Sequence, residues 1–131
     1  MASSLFVKAN DTFEVTVHYK EKDGVVKILE KEEKGAESIT VTCRKPDFET
    51  SQVILHASTI FTENGQPVVD MLRIRKCMLY HLAMKWNAKD ERDNPVPLLP
   101  ENISSLNPHI AATLCSDIEK SLGNPIGMFL A

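Results

Sequence analysis

The sequence predicts an α+β fold: an N-terminal antiparallel sheet of two or three strands followed by a bundle of three or four helices. Two observations carry this reading. Through the first 45 positions apolar and polar residues alternate, and beyond Pro46 apolar residues recur at helical spacing. Strong turn and cap signals at Asp23-Gly24, Asp47 and Asn107-Pro108 separate the periodic stretches. Strands first and helices afterwards is the order of an α+β chain.

Residues 12–19 place Phe13, Val15 and Val17 on one face and Thr12, Glu14, Thr16 and His18 on the other, the pattern of a half-buried strand. Residues 38–43 alternate in the same way through Ile39, Val41 and Cys43. Both stretches are rich in β-branched residues, which suit a pleated surface. Between them, residues 20–37 carry five Lys and six acids among 18 positions and read as solvated surface. Inside that stretch residues 25–29 form a short middle strand after the Asp23-Gly24 turn.

Asp47 is the predicted N-cap of a helix over 48–61, with Phe48, Ile54 or Leu55, Ser58 and Phe61 on its apolar face. Pro67 opens a longer helix over 68–87, interrupted from the first by Asn64-Gly65. Its broad stripe of Val68, Met71, Leu72, Cys77, Met78, Leu79 and Leu82 marks it as the centre of the bundle. Pro95, Pro97 and Pro100 stiffen a structured loop, and residues 100–106 form a short helical turn. Asn107-Pro108 starts the last helix, which buries Ile110, Leu114, Ile118 and Leu122 and stops at Gly123. The reading is one domain over 1–123, strand-rich to 45 and helical from 46, with an apolar tail over 124–131.

Composition narrows the function. The 131 residues suit one domain, and the net charge of −3 argues against a general nucleic-acid coat. Aromatics at 6% are too sparse for a base-stacking surface. Three cysteines without metal-ligand spacing suit a reducing compartment. No apolar run approaches the length of a membrane span, and no basic-then-apolar leader opens the sequence, so a cytosolic protein is expected.

The chemistry-bearing residues form no familiar constellation. His18, His56, His81 and His109 lie far apart, and there is no nucleophile elbow, P-loop or dinucleotide turn. Cys77 and His81 stand four apart on one predicted helix and can touch, but no third orienting group stands near them, so they read as core-facing. Asp90, Glu91 and Asp93 lack the spacing of a calcium loop. No catalytic residue, cofactor or metal is expected.

One segment carries a resemblance. Residues 86–103, with Trp86-Asn87, a Lys/Asp/Glu turn, Pro95-Val96-Pro97 and Pro100-Glu101-Asn102, resemble a pattern in small phage tail assembly proteins. Leu106-Asn107-Pro108 before the closing helix, and the strand-to-helix step from Ile39 to Pro46, extend the similarity over about 39–122. The family turn carries Asp-Gly where this chain has Asp93-Asn94; Asn also tolerates the left-handed conformation.

The resemblance implies a non-enzymatic tail assembly chaperone that engages tape-measure and tail-tube proteins in the host cytoplasm, without nucleic acid or membrane. It also implies that Trp86 closes the long helix against the Pro-x-Pro loop, as a core anchor or a partner contact. The alternative is a minor structural virion subunit in the tail: a baseplate, tail-terminator or head–tail connector component. On either reading a homo-oligomer is a further possible partner state. Exposed edges at 12–19 would favour that alternative. A third reading, a small enzyme or regulator, needs a cleft gathering Cys77, His81 and an acid from 90–93. By its own composition the tail, with Ile126, Met128, Phe129 and Leu130, either folds back on the domain or docks on a neighbouring chain.

Overall fold

The computed structural model describes residues 5–123. β1 (Thr12–Lys22), β2 (Val25–Leu29) and β3 (Glu37–Arg44) form the expected antiparallel strands, with β1 between the other two. Asp23 and Gly24, at φ 55° and 78°, make the two-residue link from β1 to β2, the conformation that matches the twist of paired strands. Val15 lies opposite Val41, Val17 opposite Ile39 and Phe13 opposite Cys43. The alternation of both strands therefore falls on one face, where all but Phe13 are buried. The other face is polar, and the Thr16 and Thr40 hydroxyls hydrogen-bond across it at 2.8 Å.

α1 (Phe48–Ala57) starts where Asp47 caps it, its carboxylate accepting the Thr50 N–H at 2.8 Å. The expected helix over 48–61 stops early. The Ser58 and Thr59 hydroxyls bond back to the Ile54 and Leu55 carbonyls, and the chain turns into a hairpin of β4 (Thr59–Phe61) and β5 (Pro67–Val69). Its strands are largely β-branched and its loop holds Gly65 at φ 76°, so local preference sides with the hairpin. Phe48, expected on the buried face, is 80% exposed.

The expected 68–87 helix is shorter and shifted. Asp70 caps α2 (Met71–Leu82), its Oδ1 accepting the Leu72 and Arg73 N–H groups. The row that points inward is Ile74, Met78 and Leu82, all fully buried. Val68, Met71 and Leu72, placed on the buried stripe by sequence, lie exposed instead.

The remainder of that stretch is a fourth strand, β6 (Ala83–Trp86), paired antiparallel to β3 with a bulge at Thr42/Cys43. Ala-Met-Lys-Trp has no β preference strong enough to announce this. The demand comes from β3, whose second edge runs beside the buried Val41 and Cys43 and has backbone groups that need partners. The sheet order is β2-β1-β3-β6.

The helices do not form a bundle following the sheet. α1, α2 and α4 (Pro108–Ser121) cover the apolar face, with α2 against both α1 and α4, and α4 against β1 and β2. α3 (Pro100–Ser104) is a single short turn. Asn107 caps α4 as predicted, and Ile110, Leu114 and Ile118 are buried. α2 and α4 run antiparallel: Arg75 near the start of α2 bonds Glu119 near the end of α4 at 2.8 Å, and Tyr80 near the end of α2 bonds Ser104 just before α4. One core joins Val15, Val17, Ile39, Val41 and Cys43 of the sheet to Ile54, Ile74, Met78, Leu82, Leu114 and Ile118 of the helices. Each large aliphatic side chain there contributes about 1.5–3 kcal/mol by leaving water.

Candidate interaction surface

Trp86 is the anchor of the 86–103 segment. It sits opposite Val41 at the end of β6, half-buried against the core, and not at the end of a helix. Its indole N–H donates to the Val96 carbonyl at 2.6 Å, tying the edge strand to the middle of Pro95-Val96-Pro97. The loop between them closes on itself: Val96 N–H donates to the Ala88 carbonyl and Asp90 N–H to the Asn94 carbonyl, each at 2.9 Å. The left-handed residue is Asp93, at φ 64°, so the turn takes that conformation one position before the Asn94 that sequence reasoning chose. Asp is among the few non-glycine residues that tolerate it. Asp90 Oδ1 accepts the Arg92 and Asn94 N–H groups, which uses the carboxylate to build the turn.

This loop forms one wall of an acidic cleft of about 500 Å³ whose opposite wall is Tyr19, Glu21 and Glu37. Burial, then the Glu37 carboxylate it hydrogen-bonds and the Glu21 charge, hold the Tyr19 phenol above its usual value. Lys89 is paired to Asp93 at 3.6 Å. Among the described residues no group of three or more His, Cys, Asp or Glu is arranged to hold a metal ion.

The third-reading constellation is not brought together. Cys77 lines a depression with Ala57, Arg73, Lys76 and Tyr80. His81 lines another with Arg44, Asp47, Glu49, Thr50 and Val53, and the 90–93 acids face the Tyr19 cleft. Burial pushes the Cys43 thiol up to about 12, and burial also raises Cys115, opposed by the Arg75 charge. Neither shift favours the reactive thiolate.

Two kinds of surface remain for partners. β1 is paired to β3 from Thr12 to Tyr19 but to β2 only from His18 onward, so among the described residues its first six have no strand neighbour on that side. β6 is the other edge of the sheet. Separately, Phe61, Val68, Met71 and Leu72 expose apolar side chains around the hairpin and the N-terminal end of α2. Sequence reasoning missed this second surface because it placed Val68, Met71 and Leu72 inside. The remaining candidate contacts, Ile126, Met128, Phe129 and Leu130, lie outside the described residues.

No protein-family model matches the chain, and neither a curated protein nor a solved structure matches it. Among the described residues no helix is long and apolar enough to cross a membrane.

Proposed function

We propose that this chain is a non-enzymatic phage tail assembly chaperone that binds tape-measure or tail-tube subunits in the host cytoplasm. The observation that carries the reading is the 86–103 segment, whose sequence resembles that of small tail assembly proteins. Here the Trp86 bond to Val96 and the closed 88–96 turn give that segment a fixed shape. A rigid, proline-stiffened loop presents the same surface to every partner, which lowers the entropy lost on binding. Ile126, Met128, Phe129 and Leu130 supply apolar contact to a hydrophobic partner, with Met an adaptable side chain for such surfaces. Trp86 serves by holding the loop in place.

A second reading, a minor structural subunit retained in the tail, is favoured by the edges of β1 over residues 12–17 and of β6, which no strand pairs among the described residues. Such edges take another chain's strand by backbone hydrogen bonding. Mass analysis of purified virions separates the two. Absence from virions, with recovery from infected cells bound to tape-measure or tube protein, supports the chaperone. Stoichiometric presence in virions refutes it and makes the chain a structural subunit.

A further inference from the structure

The β2 side of β1 and the segment just before that strand match one another between two copies of the chain. β2 ends at Leu29, opposite His18, which leaves residues 12–17 of β1 beside a gap in the sheet among the described residues. A gap of that length measures about 20 Å. The two-residue link at Asp23 and Gly24 makes Lys22 and Val25 a hydrogen-bonded pair. Every second residue before Lys22 therefore turns its N–H and C=O toward β2, and Thr12, Glu14 and Thr16 continue that series into the gap. The odd-numbered residues face β3 instead, and the series holds as far as Asp11, whose carbonyl accepts the Lys45 N–H at 2.9 Å.

Residues 5–10 match the gap in length, and among the described residues they belong to no strand. Phe6 is 76% and Val7 40% exposed. Their own β1 cannot take them. Folding back about the turn in which the Asp11 N–H meets the Lys8 carbonyl would pair Phe6 with the backbone of Phe13, which already serves β3. In a second copy the same segment meets no such conflict. Laid antiparallel in the gap with its Lys8 opposite Glu14, it sets Asn10 opposite Thr12 and Phe6 opposite Thr16, and all three pairs are hydrogen-bonded. The second copy's Ala9, Val7 and Leu5 then fall opposite Phe13, Val15 and Val17 on the apolar face. Its Lys8 lies beside Glu14 on the polar face, an opposite-charge cross-strand pair. A slip by one residue would reverse the faces, and a slip by two would part Lys8 from Glu14.

We propose that two copies of the chain exchange residues 5–10, each segment filling the gap beside residues 12–17 of the other. The arrangement is a two-fold swap centred on Asp11. It straightens the turn at 8–11 and gives up the Asp11 N–H bond to the Lys8 carbonyl and the Lys8 N–H bond to the Asp11 carboxylate. It gains about twelve backbone bonds across the pair, while the Asp11 carbonyl keeps Lys45. The other symmetric pairing, β1 against β1 over residues 12–16, sets Glu14 against its own copy. It also brings the two α4 helices, each lying on its β1, to about the 4.8 Å strand spacing, where helices need about 8–10 Å. In the swap the two copies of Val15 stand about 27 Å apart along the strands, and the helices clear one another. The swap goes beyond the assembly reading and does not depend on it.

Sedimentation equilibrium of the purified full chain tests the swap. The expected result is a monomer–dimer equilibrium that Glu14→Lys and Lys8→Glu each weaken about tenfold, by setting like charges opposite one another at both sites, and that the double variant restores. Both side chains are exposed, so neither change touches the core. A chain that stays monomeric at every concentration would overturn the proposal. So would a dimer indifferent to both single variants, which would place the contact elsewhere, or a double variant no tighter than the singles. No virion or partner protein enters the measurement, so failure here leaves the chaperone reading standing, and failure there leaves this one.

Discussion

Replacing Trp86 by Phe keeps most of the ring and removes the one donor that ties β6 to the Pro95-Val96-Pro97 loop. A neutral hydrogen bond of this kind contributes about 0.5–1.5 kcal/mol net. Val96 is only half-buried, so water can reach its carbonyl, and the cost belongs near the middle of that range. The smaller ring adds a few tenths, giving about 1 kcal/mol in all. Trp86→Ala removes the half-buried ring as well, and half of the usual cost of about 3–5 kcal/mol for a fully buried aromatic is about 2 kcal/mol. In urea, with a slope of about 1–3 kcal/mol/M, Trp86→Phe shifts the midpoint down by about 0.3–1 M.

The local effect is more diagnostic than the global one. The Val96 and Asp90 amides, which close the turn onto Ala88 and Asn94, should exchange with solvent faster in Trp86→Phe by more than the loss of global stability explains. Amides of β1 and α4 should follow global stability alone. Unchanged protection at Val96 together with an unchanged midpoint would refute the anchoring role of Trp86. It would also remove the physical basis for a rigid 86–103 surface.

Three further outcomes follow from the geometry. Ile74→Ala should cost about 2–5 kcal/mol, whereas Phe48→Ala, at an exposed position, should stay within about 0.5 kcal/mol; comparable losses in paired urea melts would contradict the placement of both helices. The Thr50 N–H, bonded to the Asp47 carboxylate, holds that group below the usual carboxylate range. Its capping contribution is thus complete above that range and lost as pH falls through the depressed value. Thermal melts taken from neutral to strongly acid pH should therefore decline less in Asp47→Asn, which caps without titrating; parallel declines would count against the cap's role. Finally, native-state alkylation should spare Cys43, buried with its thiol pushed up to about 12, while unfolding in urea exposes all three cysteines. Mass mapping that finds Cys43 labelled in the native protein as fast as Cys77 would show that the sheet face is not sealed.

Much of the fold could be read locally because local physics fixed it. The alternation of Phe13, Val15 and Val17, and of Ile39, Val41 and Cys43, has one periodicity and one solution: a pair of strands sharing a buried face. Asp23-Gly24, Asp47 and Asn107-Pro108 act through their own backbone and side-chain hydrogen bonds, so the turn and both caps stand where the residues alone put them. The i, i+4 row Ile110, Leu114, Ile118 needed nothing but its own spacing. No comparable local rule governs the interaction surface. Its residues were misplaced at Val68, which belongs to strand β5, and at Met71 and Leu72, which fall in the exposed first turn of α2.

What only the tertiary structure decided is the fate of residues 83–86 and which side of α2 faces the core. Ser58 and Thr59 ended α1 and the β4–β5 hairpin moved the start of the next helix to Asp70, while packing of α2 against α1 and α4 put Ile74 in the core and left Leu72 on the surface. Ala83–Trp86 became a strand because β3 had an unpaired edge, not because of its own propensities. Turns, caps and alternation are settled by neighbours in sequence. The fourth strand is settled by backbone hydrogen bonds between residues 43 apart, as in Thr42 and Lys85, and no short window along the chain contains both partners.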